Sequence, residues 1–486
     1  MNRSPELLSR AFSLVISLTL VAGCSPRDEP STPNIIFILA DDLGYGDLSS
    51  FGQTNFSTPN IDRLADEGMR FTQHYSGATV CAPSRSALLT GMHTGHTAIR
   101  GNKEVKPEGQ YPLADSVKTL SEMLQSEGYA TGAFGKWGLG FPGSEGDPNR
   151  QGFDVFYGYN CQRLAHHYYP YYLWDNQRQD SLLANRGKQT GTYAPEVIHG
   201  RALQFMEANR DHPFFLFYPT AIPHAELAAP EEYMAKHRGK YLPEKAYEGT
   251  DEGEKYRLGP YSSQLETHAA FVAMIDLLDT QVGEILAKVE ELGLKENTII
   301  IFTSDNGPHK EGGADPEFFD SNGPLKGFKR DLYEGGIRVP MIVSWPGKIA
   351  AGSSSDHISA FWDFMPTFAD LLQVGGGSDG LDGISMLPSW LSESGQQVHE
   401  HLYWEFHERG GRQAVRRGQW KAVRYDVFED PDRTPELYDL STDIGEAKNV
   451  AADYPEVTAE MARLMAESRT ESPVFQFGDP TFLNVK

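Results

Sequence analysis

Asn34-Ile35-Ile36-Phe37-Ile38-Leu39-Ala40 runs straight into Asp41-Asp42. After Asn34 the run is apolar without alternation, so both of its faces must be covered, as in a strand inside a parallel sheet. The same kind of run recurs at residues 214–218 (FFLFY) and 298–303 (TIIIFT), with further strands expected at 129–134 and 339–345. Between them lie helical patterns. Thr58-Pro59 predicts a helix over 58–67, because Thr caps well and Pro fits the first helical position. Helical spacing also marks 117–127, 199–209 and 267–292, the last closed by Gly293. Strands alternating with helices predict an α/β fold with a large central, mainly parallel sheet flanked by helices. In such sheets chemistry collects at the carboxyl ends of strands. Asp41-Asp42 and Asp305-Asn306 stand at two of those ends.

Beyond residue 375 the pattern changes. Residues 374–380 are Gly-rich and read as a linker or a loop. Short strands at 402–406, 414–417, 420–425 and 436–440, then a helix at 456–468, predict a smaller antiparallel-sheet-plus-helix subdomain. The expected division is 34–375 for the main domain and 376–486 for the subdomain. Residues 141–195 and 225–262, rich in Tyr, Gly, Pro and charge, read as long loops facing a substrate.

The chain has 486 residues, and its 43 Lys and Arg against 67 Asp and Glu give a formal net charge of −24. That balance excludes a general nucleic-acid binder but leaves room for a locally positive site that takes an anion. Three cysteines, Cys24, Cys81 and Cys161, make no disulfide framework. Residues 1–23 read as an export signal, with Arg3 and Arg10 before an apolar run too short to span a bilayer. Leu20-Val21-Ala22-Gly23-Cys24 resembles a bacterial lipoprotein signal, which implies cleavage before Cys24 and lipid on its sulfur. The alternative is an ordinary cleaved signal peptide. Lipid would anchor the protein without spanning, with residues 24–33 as a tether. The expected location is outside the cytoplasm, at a bacterial outer membrane or in the periplasm.

Cys81-Ala82-Pro83-Ser84-Arg85 with the downstream Leu89-Thr90-Gly91 resembles the signature of the type I sulfatases. The alternative is a structural thiol at the start of a helix. The resemblance implies an alkaline-phosphatase-like fold and sulfate-ester hydrolysis. It also implies that a separate maturation enzyme oxidises Cys81 to formylglycine. The hydrated aldehyde carries two hydroxyls on one carbon. One attacks sulfur, and deprotonation of the other lets the carbonyl re-form as sulfate leaves, so one difficult step becomes two easier ones. Asp41, Asp42, Asp305 and Asn306 offer only oxygen, which suits a hard cation, Ca²⁺ or Mg²⁺, better than zinc. In the family the matching positions bind calcium, with the modified Cys81 as a further ligand.

Further matches carry further implied roles. Gly135-Lys136-Trp137-Gly138-Leu139-Gly140 resembles the family's Gly-Lys-Trp-His-Leu-Gly, which places Lys136 on the sulfate. Gly138 stands where a sulfate-contacting histidine is usual, and His166 or His167 is the expected substitute. Pro223-His224 resembles the family's sulfate-site histidine, a group suited to protonating the leaving alcohol. Lys329, before Tyr333-Glu334-Gly335-Gly336, matches a second sulfate lysine, and Arg85 is expected to hold the modified residue and ion ligands in place. His309, close behind Asp305-Asn306, is a further candidate at the pocket. His399, His401 and His407 read as a surface strand, and Cys161 as a structural thiol. Tyr168, Tyr169, Tyr171, Tyr172 and Trp174 serve either loop packing or a sugar-facing surface. The expected substrate is a sulfated sugar, galactose or N-acetylgalactosamine sulfates first. The rival readings are a phosphonate or phosphodiester hydrolase with the same nucleophile, and a non-catalytic sugar-binding lipoprotein.

Overall fold

The computed structural model describes residue 1 and residues 32–478. Residues 2–23 of the expected export signal, and Cys24, lie outside the described residues. From Pro33 onward the chain forms one compact unit.

Asn34–Ala40 is β1, buried at every position. Its residues divide by parity between two cores: Ile36, Ile38 and Ala40 join one, and Ile35, Phe37 and Leu39 the other. This is why the run shows no alternation. A strand points successive side chains to opposite faces, and here both faces are covered. The long helix Thr267–Glu291 packs into the first core through residues such as Ala270, Ile275 and Leu278. Leu120, Leu124, Phe364 and Phe368, from two shorter helices, pack into the second.

The next strands along the chain are β2 (Met69–Phe71), β3 (His74–Tyr75), β4 (Ala130–Lys136) and β5 (Val155–Tyr159). They are followed by β6 (Tyr172–Asp175), β7 (Arg178–Ser181), β8 (Phe214–Pro219) and β9 (Thr298–Ser304). Then come β10 (Met341–Ser344), β11 (Ser353–Ser355) and β12 (Ser359–Ala360). One ten-stranded sheet takes the order β11-β2-β10-β9-β1-β8-β4-β5-β6-β7, and β12 and β3 pair separately. Its centre, β9-β1-β8-β4-β5, is parallel. β10, β6 and β7 run antiparallel to their neighbours.

Residues 141–195 are therefore not simply loop. They contain β5, β6 and β7, which extend the sheet to one edge. Arg178–Ser181 is short, polar and largely exposed, so it carries none of the apolar signal that marks a buried strand. Residues 225–262 are mainly irregular as expected, with one short helix, Glu231–His237.

β13 (Leu402–Phe406), β14 (Arg412–Arg417), β15 (Trp420–Tyr425) and β16 (Glu436–Asp439) form a separate four-stranded antiparallel sheet. The helix Pro455–Glu467 covers one face through Met461, Leu464 and Met465. The other face packs on Tyr75, Val80 and Trp362 of the main domain. The histidines near this sheet correct the surface reading. His407 is fully buried with Nε2 2.9 Å from Glu405, and His399 Nε2 lies 2.9 Å from Asp363. Each is drawn inward by a buried carboxylate. Cys161 is buried, its sulfur accepting a hydrogen bond from Leu164 N at 3.4 Å.

Candidate active site

β1 and β9 pair in parallel register with Ala40 beside Ser304. The chain leaves both strands at one level, so Asp41-Asp42 and Asp305-Asn306 emerge side by side. Asp42 has a left-handed backbone, φ +64°, uncommon for a residue with a side chain. Its N–H donates to Asp305 Oδ1 at 3.1 Å, and Asn306 Nδ2 donates to Asp42 Oδ1 at 2.7 Å.

Cys81 is the first residue of the helix Cys81–Thr90, which is buried throughout and closed by Gly91 in the left-handed conformation. The extended Val80 leads into it, so the thiol stands at the positive dipole end of the helix. Cys81 Sγ lies 3.5 Å from Asp41 Oδ1 and 3.4 Å from Lys136 Nζ. Burial first, then the Asp41 carboxylate, pushes the Cys81 thiol well above the ordinary thiol range. An unaltered thiol here is a poor nucleophile, because only the thiolate attacks.

Arg85, one turn along, ties the strand ends together. Its Nε and Nη2 donate to Asp305 Oδ2 at 3.1 and 2.8 Å, and its Nη1 donates to the Lys136 carbonyl. Nη2 also stands 3.4 Å from Asp41. Ser84 Oγ donates to the Asp305 carbonyl at 2.6 Å, a link that the cysteine signature carries without announcing.

Lys136, the last residue of β4, reaches Asp41 Oδ2 at 2.6 Å. Lys329 Nζ reaches Asp42 Oδ2 at 2.8 Å and Glu311 Oε2 at 3.4 Å. Burial would lower both ammonium groups, but Asp41 holds Lys136, and Asp42 holds Lys329, above the usual value. Against its own burial, Asp42 is held below the carboxylate range by Lys329 and His309. Asp305 goes the other way: burial and repulsion from Asp41 raise it to about 7. The cluster therefore holds one carboxylate that is reluctant to ionise without further positive charge.

The structure separates the candidate histidines. His224 is buried, with Nε2 3.6 Å from Asp42 Oδ2. Its Nδ1 hydrogen-bonds the Ala225 carbonyl, which only accepts, so Nδ1 carries the proton and Nε2 does not. Burial, then Lys136 and Lys329, hold the His224 imidazole well below its ordinary value. His166 stacks on His224 with ring centroids 5.3 Å apart and donates through Nδ1 to the Gly259 carbonyl at 2.8 Å. His309 stacks on His224 from another side at 5.7 Å, and both its nitrogens bond backbone groups, Pro223 O and Glu311 N. His167 does not join them. It is fully buried between Glu226 at 3.3 Å and Gly259 N at 2.9 Å, so the alternation of a single residue turns it away from the site.

Cys81, His166, His224 and Lys329 line one cavity of about 390 Å³, the size of a small-molecule site. Asn102, Gln162, Tyr261 and Arg330 share its walls, and sequence reasoning reached none of them. They come from separate loops with no local pattern to mark them. A larger cavity of about 800 Å³ opens beside Thr90 at the far end of the Cys81 helix, and none of the candidate residues lines it. The aromatic run resolves toward packing. Tyr168 is buried and its hydroxyl lies 2.6 and 2.8 Å from the Ala221 and His224 carbonyls, sharing one proton between them, which fixes the His224 loop. Trp174 Nε1 donates to Glu108 at 2.8 Å.

The residues present fit a divalent cation. Asn306 Oδ1 is buried and has no partner among the described residues, and Asp41 and Asp42 offer ligand atoms within 4.8 Å of each other and of Cys81 and His224. An orphaned amide oxygen beside carboxylates suits a hard ion. The arrangement can bind an anion on two ammonium groups, activate a group at position 81 and move a proton through His224.

Comparison with known proteins agrees with this chemistry. The pattern that defines the sulfatase family matches residues 33–374, and that of the N-sulphoglucosamine sulphohydrolase C-terminal region matches 326–471. Arylsulfatase A of Bos taurus is 33% identical over 490 residues, spanning 92% of this chain and 88% of the relative. The N-acetylgalactosamine-6-O-sulfatase of Bacteroides thetaiotaomicron is 29% identical, spanning 95% of this chain and 99% of its own. The crystal structure of Ps i-CgsB superposes with a TM-score of 0.75 at 27% identity, covering 93% of this chain and 96% of that one. With a buried cysteine, two lysines and a carboxylate cluster able to hold a cation gathered at the ends of the central strands, the chain belongs to the sulfatase family and is a sulfuric ester hydrolase.

Proposed function

We propose that this enzyme removes sulfate from a sulfated carbohydrate, using a formylglycine made from Cys81 and a calcium ion held by Asp41, Asp42, Asp305 and Asn306. The observation that carries the reading is the position of Cys81 Sγ, 3.5 Å from Asp41 and 3.4 Å from Lys136, on a cavity that Lys329 and His224 also line. The carbohydrate part is supported by the N-acetylgalactosamine-6-O-sulfatase relative and by Ps i-CgsB, solved with k-i-k-neocarrahexaose. Galactose and N-acetylgalactosamine sulfates are the first candidates.

Charge supports the assignment. Asp41, Asp42 and Asp305 face Arg85, Lys136 and Lys329, an even balance of carboxylates and cations. A divalent ion leaves this cluster with two positive charges, which one sulfate ester and one ionised hydroxyl would neutralise. The ion, when bound, lowers the pKa of an adjacent hydroxyl and stabilises the charge on sulfate oxygens. The hydrated aldehyde, when formed, supplies the nucleophilic hydroxyl together with a second one that lets sulfate depart without water attacking sulfur.

The chain's own residues do the rest. Lys136 and Lys329 bind the anionic head and offset charge as it moves onto the leaving oxygen. Arg85 keeps Asp305, Asp41 and the end of β4 at fixed separation. His224 has its Nδ1 proton committed to Ala225, so Nε2 is the atom that moves a proton. The arriving anion favours protonation there, and Nε2–H then serves the leaving alcohol.

The reading extends to location. Export with lipid on Cys24 is our proposal from the signal sequence, and would set the enzyme at an outer membrane or in the periplasm.

The test is sulfate release from defined mono- and disaccharide sulfates, after co-expression with a maturation enzyme and mass spectrometry of the Cys81 peptide. Release from galactose or N-acetylgalactosamine sulfates is expected. Turnover of an aryl phosphonate diester with no release from any sulfated sugar would overturn the reading.

A further inference from the structure

The glycine at position 138 marks an occupied place. β4 and β5 are parallel neighbours, and the chain beyond them stays paired, Trp137 N donating to Tyr159 O at 2.9 Å and Gly138 N to Asn160 O at 3.2 Å. This pairing carries Gln162 over Gly138. A Cβ built on Gly138 would overlap Gln162 Nε2 and stand 3.2 Å from its Cδ. Gly138 is also left-handed, φ +87°, a conformation that side chains resist. A side chain at 138 and the amide of Gln162 therefore exclude each other.

Gln162 is 8% exposed, and its Nε2 finds no acceptor among the described residues. It lines the same cavity as Cys81, His224 and Lys329. A buried N–H without a partner is rare, and one that faces a binding cavity marks where a ligand acceptor belongs.

We propose that Gln162 Nε2 donates a hydrogen bond to a non-bridging oxygen of the bound sulfate group, through the space that Gly138 leaves open. The assignment rests on the sulfate-ester function proposed above. A carboxamide donor is neutral and keeps its proton, so it adds an oriented N–H to the anion site without adding charge to a cluster that already holds Arg85, Lys136 and Lys329.

The experiment measures two things: binding of inorganic sulfate to calcium-loaded protein with Cys81 unmodified, by calorimetry, and kcat/KM on an aryl sulfate for the matured enzyme. Gln162→Ala is expected to weaken both by about 10- to 100-fold, and Gln162→Glu, which replaces the donor with an anionic oxygen, by more. Gly138→Ala displaces the amide and should produce a similar loss. The double variant should then be no worse than Gln162→Ala alone, because both changes remove one interaction. Should Gln162→Ala fail to fold, Gln162→Met keeps the length without the donor and is read instead. If the wild type binds and hydrolyses sulfate while the variants stay within about threefold of it, less than a charged hydrogen bond contributes, the role of Gln162 is overturned. If the wild type itself neither binds sulfate nor cleaves sulfate esters, the proposed function fails and this inference falls with it.

Discussion

Lys421, on β15 of the C-terminal sheet, holds its ammonium 2.8 Å from the carboxylate of Glu334, and neither side chain has any exposure. Glu334 begins the short helix Glu334–Ile337, five residues after Lys329. Arg338 at 3.2 Å and the Tyr75 hydroxyl at 2.5 Å also reach it, and its backbone N–H donates to Glu446 at 2.7 Å. The small sheet is thus the wall that fixes the segment carrying Lys329.

Removing Lys421 tests this. Against burial, Lys421 and then Arg416 and Arg338 hold Glu334 down to about 2, so it stays ionised at any working pH. Lys421→Met leaves that charge without its main partner, and a broken buried pair destabilises by about 3–5 kcal/mol. Chemical denaturation should show that loss, and Lys421→Met with Glu334→Gln should recover part of it. A single variant as stable as the wild type would show that the network tolerates the loss, and would remove the sheet's supporting role.

The parts of the molecule legible in sequence are those where burial or capping leaves a local mark. β1, β8 and β9 are apolar on both faces, and Thr119 with Glu122 forms a complete capping box at the start of the helix Leu120–Ser126. The oxygens of Asp41, Asp42, Asp305 and Asn306 were legible because they sit directly after two such strands. β6 and β7 were not, since a short polar edge strand is defined by the neighbour it pairs with. His167 and Gln162 show the same limit within the site. One faces away from the cavity and the other into it, and the path of the loop between β5 and β6 decides which. His407 follows Glu405 two residues on and pairs with it, and only the packing over that side of the strand, which leaves no sequence mark, decides that both lie inward.

Position 81 gives the most direct chemical test. The thiol is buried and pushed well above its ordinary range, but it is a single heavy atom, so its removal leaves only a small void. Cys81→Ala should melt close to the wild type and lose roughly 10³-fold or more of its sulfatase activity, as loss of a nucleophile does. Retained activity in that variant would rule out position 81 as the attacking group.

Cys24 tests the export reading separately. With lipid on its sulfur, the full-length protein should sediment with membranes and partition into detergent. Cys24→Ala should appear in the soluble fraction. One acyl-modified terminus is sufficient for that shift only if no other anchor exists, and among the described residues no helix is long and apolar enough to cross a membrane. A variant that remains membrane-bound would exclude lipid on Cys24 as the anchor.

Calcium affinity should depend on pH with a definite sign. Asp305 is raised to about 7, so below that value it carries a proton that an incoming cation must displace. Affinity should therefore rise about tenfold per pH unit as pH increases toward about 7, and then level off once the carboxylate is already ionised. Calorimetry across that range measures it, and Asp305→Asn should both weaken binding and flatten the slope. An affinity independent of pH below neutrality would show that Asp305 is already ionised there, and an Asp305→Asn variant with unchanged affinity would remove it from the ligand set.

His224 is best tested by varying the leaving group. A nitrophenolate departs without a proton, whereas a sugar alkoxide needs one. If Nε2 supplies it, His224→Ala should lower turnover of a sugar sulfate by about 10²- to 10⁴-fold and that of a nitrophenyl sulfate far less. The pH dependence follows from burial and the two lysines, which hold the imidazole well below its ordinary value. The protonated form thins as pH rises, so the wild type should lose activity on the sugar sulfate toward higher pH. His224→Gln, which cannot titrate, should lose that limb. Equal losses on both substrates would instead mean that His224 orients the sulfate, and the proton would have to come from another group.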